Sequence, residues 1–174
     1  MLLTRRSFLK LNALAAVCAP RLAEAAVAER SLAFHNLHTS ESLKTVYWIQ
    51  GDYVAQSLAE INHVLRDHRS GETHEIDHRL LDLLHGIRQR LDTSKPFEII
   101  SGYRSPATNA MLRGQSDGVA ERSLHVQGMA IDVRVPGRRL SLVRKTALSM
   151  RAGGVGYYPA SQFVHIDVGR VRKW

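Results

Sequence analysis

Cysteine is nearly absent from this 174-residue chain, with Cys18 the single instance. It lies among the first 25 residues and follows Val17, where a lipid-attachment site calls for Gly, Ala or Ser. Without those residues the chain has no thiol. That excludes disulfides and cysteine-based metal sites, so any metal must rest on histidines and carboxylates. Long apolar runs are also missing. Leu11 to Val17 is too short to span a bilayer and no later stretch is long enough, so no stable membrane insertion is expected. No run of Lys/Arg and no interleaved aromatic platform occurs, which argues against nucleic acid as a partner despite a net charge of +8. Internal repeats and low-complexity segments are absent as well.

What the first residues do contain reads as an address. Thr4-Arg5-Arg6-Ser7-Phe8-Leu9-Lys10 has the twin-arginine pattern, followed by the short apolar stretch and then Ala23-Glu24-Ala25, a small-x-small cleavage site. The division expected is a signal peptide over 1–25 and one domain over 26–174, exported to the periplasm by the Tat translocase. Residues 1–25 carry four basic side chains and one acidic one, so their removal lowers the net charge from +8 to +5. A mildly basic surface suits an anionic envelope polymer.

Along the domain, Ser31–Leu37 and Ser42–Ile49 alternate apolar with polar residues and predict a β-hairpin. Apolar spacings of three and four predict helices over 52–69 and 77–91. Pro96–Ser101 is a strand, and Ser105–Arg113 a helix capped by Ser105 with Pro106 at its first position. A loop over 114–124 leads to a strand at Met129–Val135. Ser141–Ala152 is a further helix, and strands follow near Gly154–Tyr158 and Phe163–Val168. Helices first and short antiparallel-looking strands later indicate an α+β domain.

The densest chemistry lies in Ser123-Leu-His125-Val-Gln-Gly128-Met-Ala130-Ile-Asp132-Val. Gly128 permits a bend between His125 and Asp132, and Ala130 and Asp132 share one face of the strand that follows. In Phe163-Val-His165-Ile-Asp167-Val168, His165 and Asp167 share a face while Val164 and Ile166 turn to the core. Two imidazoles and a carboxylate make a zinc ligand set with a fourth position left for water. Each half alone also reads as unconnected surface residues.

Together the residues resemble a known group. Ser-x-His-x-x-Gly-x-Ala-x-Asp followed by a histidine on a late strand is the pattern of the zinc D,D-peptidases, a group that extends to lysostaphin-like enzymes and the hedgehog signalling domain. The likeness is closer to a branch of periplasmic murein endopeptidases, through Ser101-Gly-Tyr-Arg104-Ser105, Gly153 to Pro159, Phe163 to His165 and Gly169 to Trp174. The resemblance implies a hedgehog-type fold, with a small antiparallel sheet carrying a zinc site and packed against several helices. It implies Zn2+ on His125, Asp132 and His165, hydrolysis of peptidoglycan stem-peptide cross-links, and Arg104 as the group that polarises the scissile carbonyl. Relatives carry an acid three residues before the second histidine, where this chain has Gln162. Asp167 is the preferred general base, with the orientation of a ligand imidazole as its competing role, and Glu121 stands in reserve. Alternatives are a non-catalytic zinc-containing peptidoglycan-binding module and a D,D-carboxypeptidase. A rival metal motif, His74-Glu75-Ile76-Asp77-His78, spells H-E-x-x-H. It falls at the ragged start of a helix, where Glu75 and Asp77 suit the helix dipole.

Overall fold

The computed structural model describes residues 28–115 and 120–174. The twin-arginine segment and Cys18 lie outside the described residues, as do four residues of the loop expected over 114–124. Among the described residues no helix is long and apolar enough to cross a membrane.

The expected hairpin is present as β1 (Glu29–Asn36) and β2 (Ser42–Ile49). Asn36 closes its turn: its side-chain oxygen accepts the N–H groups of His38 and Thr39. The periodicity predicts a helix over 52–69, but Asp52–Tyr53 instead pairs with β2 as β3, and α1 runs only over Ala55–Val64. Residues past Leu65 leave the helix because Asp67 organises a turn. Its carboxylate accepts Arg69 N–H and, from a distant part of the chain, Ser105 N–H. α2 (His78–Arg90) starts where Asp77 caps it by accepting the N–H of Arg79. Its apolar stripe, Leu80, Leu81, Leu84 and Ile87, is fully buried, each side chain contributing about 1.5–3 kcal/mol.

β4 (Phe97–Ser101) is followed by α3 (Pro106–Gln115), whose Ser105 hydroxyl accepts the N–H of Thr108 as the sequence predicts. A short 3-10 turn (Leu124–Gln127) precedes β5 (Ala130–Arg134). α4 (Leu140–Met150), β6 (Gly154–Tyr158), β7 (Phe163–Asp167) and β8 (Arg172–Lys173) complete the chain.

All eight strands form one sheet in the order β3-β2-β1-β4-β5-β7-β6-β8. The domain is α+β, but its sheet is neither small nor wholly antiparallel: β1 pairs with β4, and β6 with β8, in parallel. The first parallel pairing arises because the chain from the hairpin crosses through α1 and α2 before returning beside β1. α2 and α4 pack together with Ile131, Val133, Val164 and Ile166 in one core. Because strand residues alternate faces, Asp132, His165 and Asp167 project on the side opposite that core.

Candidate metal centre

β5 and β7 run antiparallel with Asp132 directly opposite His165 and Ala130 opposite Asp167. Residues so paired have side chains on the same face, and the small Ala130 leaves Asp167 room. His125 comes to them from the 3-10 turn, which ends at Gly128 in the left-handed region with φ +67°. A Cβ there would lie 2.1 Å from the backbone oxygen of Glu75, so the position requires glycine on two counts. The Ser101–Ser105 segment is stitched to the same turn. Gly102 offers its carbonyl to His125 Nδ1 at 2.8 Å, and Arg104 N–H donates to the His125 carbonyl at 3.2 Å.

These contacts set the tautomers. His125 Nδ1 faces a carbonyl and so carries the proton, leaving a bare lone pair on Nε2. His165 Nε2 faces Asp167 Oδ2 at 3.1 Å and carries its proton there, which bares Nδ1. The two bare nitrogens lie 3.2 Å apart, and Asp132 Oδ1 sits 2.9 Å from His165 Nδ1 and 3.4 Å from His125 Nε2. Three electron-rich atoms thus converge with all three residues buried. Such an arrangement repels itself unless a cation is shared. Tetrahedral zinc, with ligand distances of about 2.0–2.1 Å, holds its ligand atoms about 3.3 Å apart, so the donor set fits that ion. Among the described residues this is the only group of three or more metal-ligating side chains so placed. The electrostatics agree. With protons in place of the cation, burial would raise the Asp132 carboxyl, but the charge and hydrogen bonding of protonated His125 and His165 hold it below the usual range. Burial opposes charging His165, yet Asp132 and Asp167 raise it overall. The site is built to hold positive charge.

Asp167 is fully buried and both of its oxygens are occupied. Oδ1 accepts the N–H groups of Gly154 and Gly169 at 2.9 Å each and Arg172 Nη1 at 3.1 Å; Oδ2 accepts His165 Nε2 and, at 2.7 Å, Arg172 Nη2. Burial would raise its carboxyl, but these donors outweigh burial and hold it well below the carboxylate range. Glu121 points outward with 77% of its side chain exposed, 3.8 Å from Arg113. Gln162 has φ +58° and is exposed in the turn between β6 and β7. Neither lines the cavity of about 400 Å³ that opens over the three converging atoms. Arg104 does. Its Nη1 and Nη2 reach Asn109 Oδ1 at 3.3 Å and Ser101 Oγ at 3.4 Å, and its buried Nε has no partner.

The H-E-x-x-H stretch forms no centre. Residues 74–77 are not helical, the His74 ring stacks on Tyr103 at 4.8 Å, Glu75 is exposed, and His78 lies against Tyr53. The remaining histidines are spoken for singly: His35 by Ser42, His63 by Glu41, His85 by the Ser31 carbonyl, and His38 by stacking on His68. Arg122, Tyr158, Arg172 and Trp174 also line the cavity and were not singled out from the sequence. The available signal was the alternation Gly154, Gly156, Tyr158, which puts two missing side chains and one large one on the metal side of β6.

Known proteins share much of this sequence. The family model described as peptidoglycan L,D-endopeptidase MepK matches residues 24–174. The peptidoglycan L,D-endopeptidase MepK of Escherichia coli (strain K12) is 50% identical over 145 residues, covering 83% of this chain and 80% of that protein. The protein of the same name from Shigella flexneri matches equally, and the probable peptidoglycan L,D-endopeptidase MepK of Haemophilus influenzae is 41% identical over 146 residues. The chain belongs to this family.

Proposed function

We propose that this member of the MepK family is a peptidase that hydrolyses L,D cross-links between peptidoglycan stem peptides, with zinc held by His125, Asp132 and His165. The observation that carries the reading is the convergence of three bare donor atoms, tautomers fixed from behind, at the floor of a cavity. Relatives bearing the name L,D-endopeptidase favour an internal cross-link over a terminal D-Ala-D-Ala bond as the one cut.

When bound, zinc supplies Lewis acidity, which acidifies a water and polarises a carbonyl. The chain's own residues do the rest. Asp167 takes the orienting role: with both oxygens saturated it holds the His165 ring and its tautomer, as the Gly102 carbonyl does for His125. Arg104 presents a guanidinium to the cavity with its Nε unpaired, a fixed donor for charge developing on the carbonyl oxygen. Arg104 and Arg122 give the cavity a cationic rim that suits carboxylate-bearing stem peptides. The substrate lies in the cell envelope, and the twin-arginine segment over 1–25 is the proposed route there, through the Tat translocase.

The test uses zinc-loaded protein and two purified muropeptide dimers, one L,D- and one D,D-cross-linked, followed by chromatography with mass detection. The L,D dimer should be converted to monomers, with chelation stopping the reaction and added zinc restoring it. Intact L,D dimers in the presence of zinc-loaded protein would instead select the non-catalytic binding module.

A further inference from the structure

The metal-side face of β6 carries Gly154, Gly156 and Tyr158, and Gly156 stands directly opposite His165. A Cβ on Gly156 would lie 2.7 Å from Cε2 of Trp174, because the indole occupies the space a side chain would take. The ring is therefore seated beside His165, with centroids 5.2 Å apart at 45°. The segment is held there by its backbone: Trp174 N–H donates to Val155 and Tyr157 N–H donates to Trp174. Arg172 adds a second anchor, its guanidinium 4.8 Å from the Trp174 ring while paired with Asp167.

From that seat, Trp174 Nε1–H donates to Tyr158 Oη at 2.8 Å. A phenol oxygen has one proton and can accept through its lone pairs. The indole occupies an acceptor position, so the phenol proton must point elsewhere. Among the described residues no acceptor takes it, and Tyr158 lines the same cavity as His125, Asp132 and His165. Stacking on Phe163 at 4.6 Å fixes the plane of the ring. If packing were the whole role, phenylalanine beside Phe163 would serve and the indole N–H would have no partner there.

We propose that Tyr158 is a catalytic residue whose hydroxyl donates a hydrogen bond to a carbonyl oxygen of the bound peptide as charge develops on it, and that Trp174 is the positioning residue that aims it. The inference rests on the peptidase reading above. A donor that is itself accepting a hydrogen bond is polarised and strengthened, which gives the indole a purpose beyond filling the slot at Gly156.

Two measurements on the full chain test this. In the first, kcat and KM on the L,D-cross-linked dimer are compared for the wild type, Tyr158→Phe and Trp174→Phe, with zinc content measured alongside. Tyr158→Phe should lower kcat about 100-fold, the usual effect of losing one such donor, with KM and zinc content unchanged. Trp174→Phe keeps an aromatic ring in the slot and should lose less. In the second, the indole N–H resonance of Trp174 is followed by NMR while a non-cleavable analogue of the dimer is added to the zinc-loaded protein. It should shift with ligand in the wild type and stay still in Tyr158→Phe. A Tyr158→Phe protein with wild-type kcat, or one whose kcat loss tracks zinc loss, would overturn the inference while leaving the peptidase reading intact. A zinc-loaded wild type that neither binds nor cleaves the dimer would overturn that reading and the inference with it.

Discussion

Two stretches of this chain spell a histidine–carboxylate pattern, and the fold treats them in opposite ways. His74 to His78 has the spacing of a helical metal motif, in which residues four apart share a face. Here the chain is not helical until His78, so the two rings go separate ways, one to Tyr103 and the other to Tyr53. His125 and Asp132 are seven apart, a spacing that would share a face on one helix, but they lie on two different elements. A 3-10 turn, one left-handed glycine and the pairing of β5 with β7 bring them together with His165. Spacing has chemical meaning only through the element that carries it. The two stretches also touch: Asp77 N–H donates to the Gly128 carbonyl at 3.0 Å, and the Glu75 carbonyl packs on the Gly128 α-carbon. The stretch from His74 to His78 braces the turn that delivers His125.

The largest expected effect comes from His165→Ala, which removes one of the three proposed ligands. Hydrolysis of the L,D dimer should fall to background and zinc should be lost on dialysis, both read by chromatography and metal analysis. Gly128→Ala strikes the brace itself. The left-handed backbone costs about 1–2 kcal/mol and the overlap with Glu75 about 1–3 more, so urea unfolding should show a loss of about 2–5 kcal/mol. Asp167→Asn keeps the shape but reverses one partner of His165 and weakens the Arg172 pair. Zinc affinity should drop about 10–100-fold, with activity recovered in excess zinc. A tenfold or larger loss of kcat at saturating zinc would return Asp167 to the role of base. His74→Ala should do least: one ring stack is lost, costing about 0.5–1.5 kcal/mol, with zinc content untouched.

Much of the fold was legible because long-period signals are robust. The stripe of Leu80, Leu81, Leu84 and Ile87 gave α2 to within a residue, and the alternation of β1 and β2 gave the hairpin. The length of α1 was not legible, since what ends it is Asp67 bonding to Ser105, 38 residues away. The joining of both strand groups into one sheet escaped for the same reason, because a parallel pairing leaves no local mark. At the site, strand parity put His165 and Asp167 on one face, and the structure brings Asp132 opposite. Whether Asp167 accepts a proton or orients a ring depends on how many donors reach it. Two of those come from other strands, Gly154 from the adjacent β6 and Arg172 from β8 beyond it, and no periodicity connects them to Asp167. Tyr158 left a signal in the alternation of β6, but Trp174 left none, because β8, which precedes it, is two residues long and too short to show any period.

The most direct test of the account is metal stoichiometry in two variants purified side by side: His125→Ala, and the double variant His74→Ala with His78→Ala. The account predicts about one zinc per chain in the double variant, as in the wild type, and none retained in His125→Ala. Zinc retained by His125→Ala and lost from the double variant would contradict it, and would place the metal on the stretch from His74 to His78.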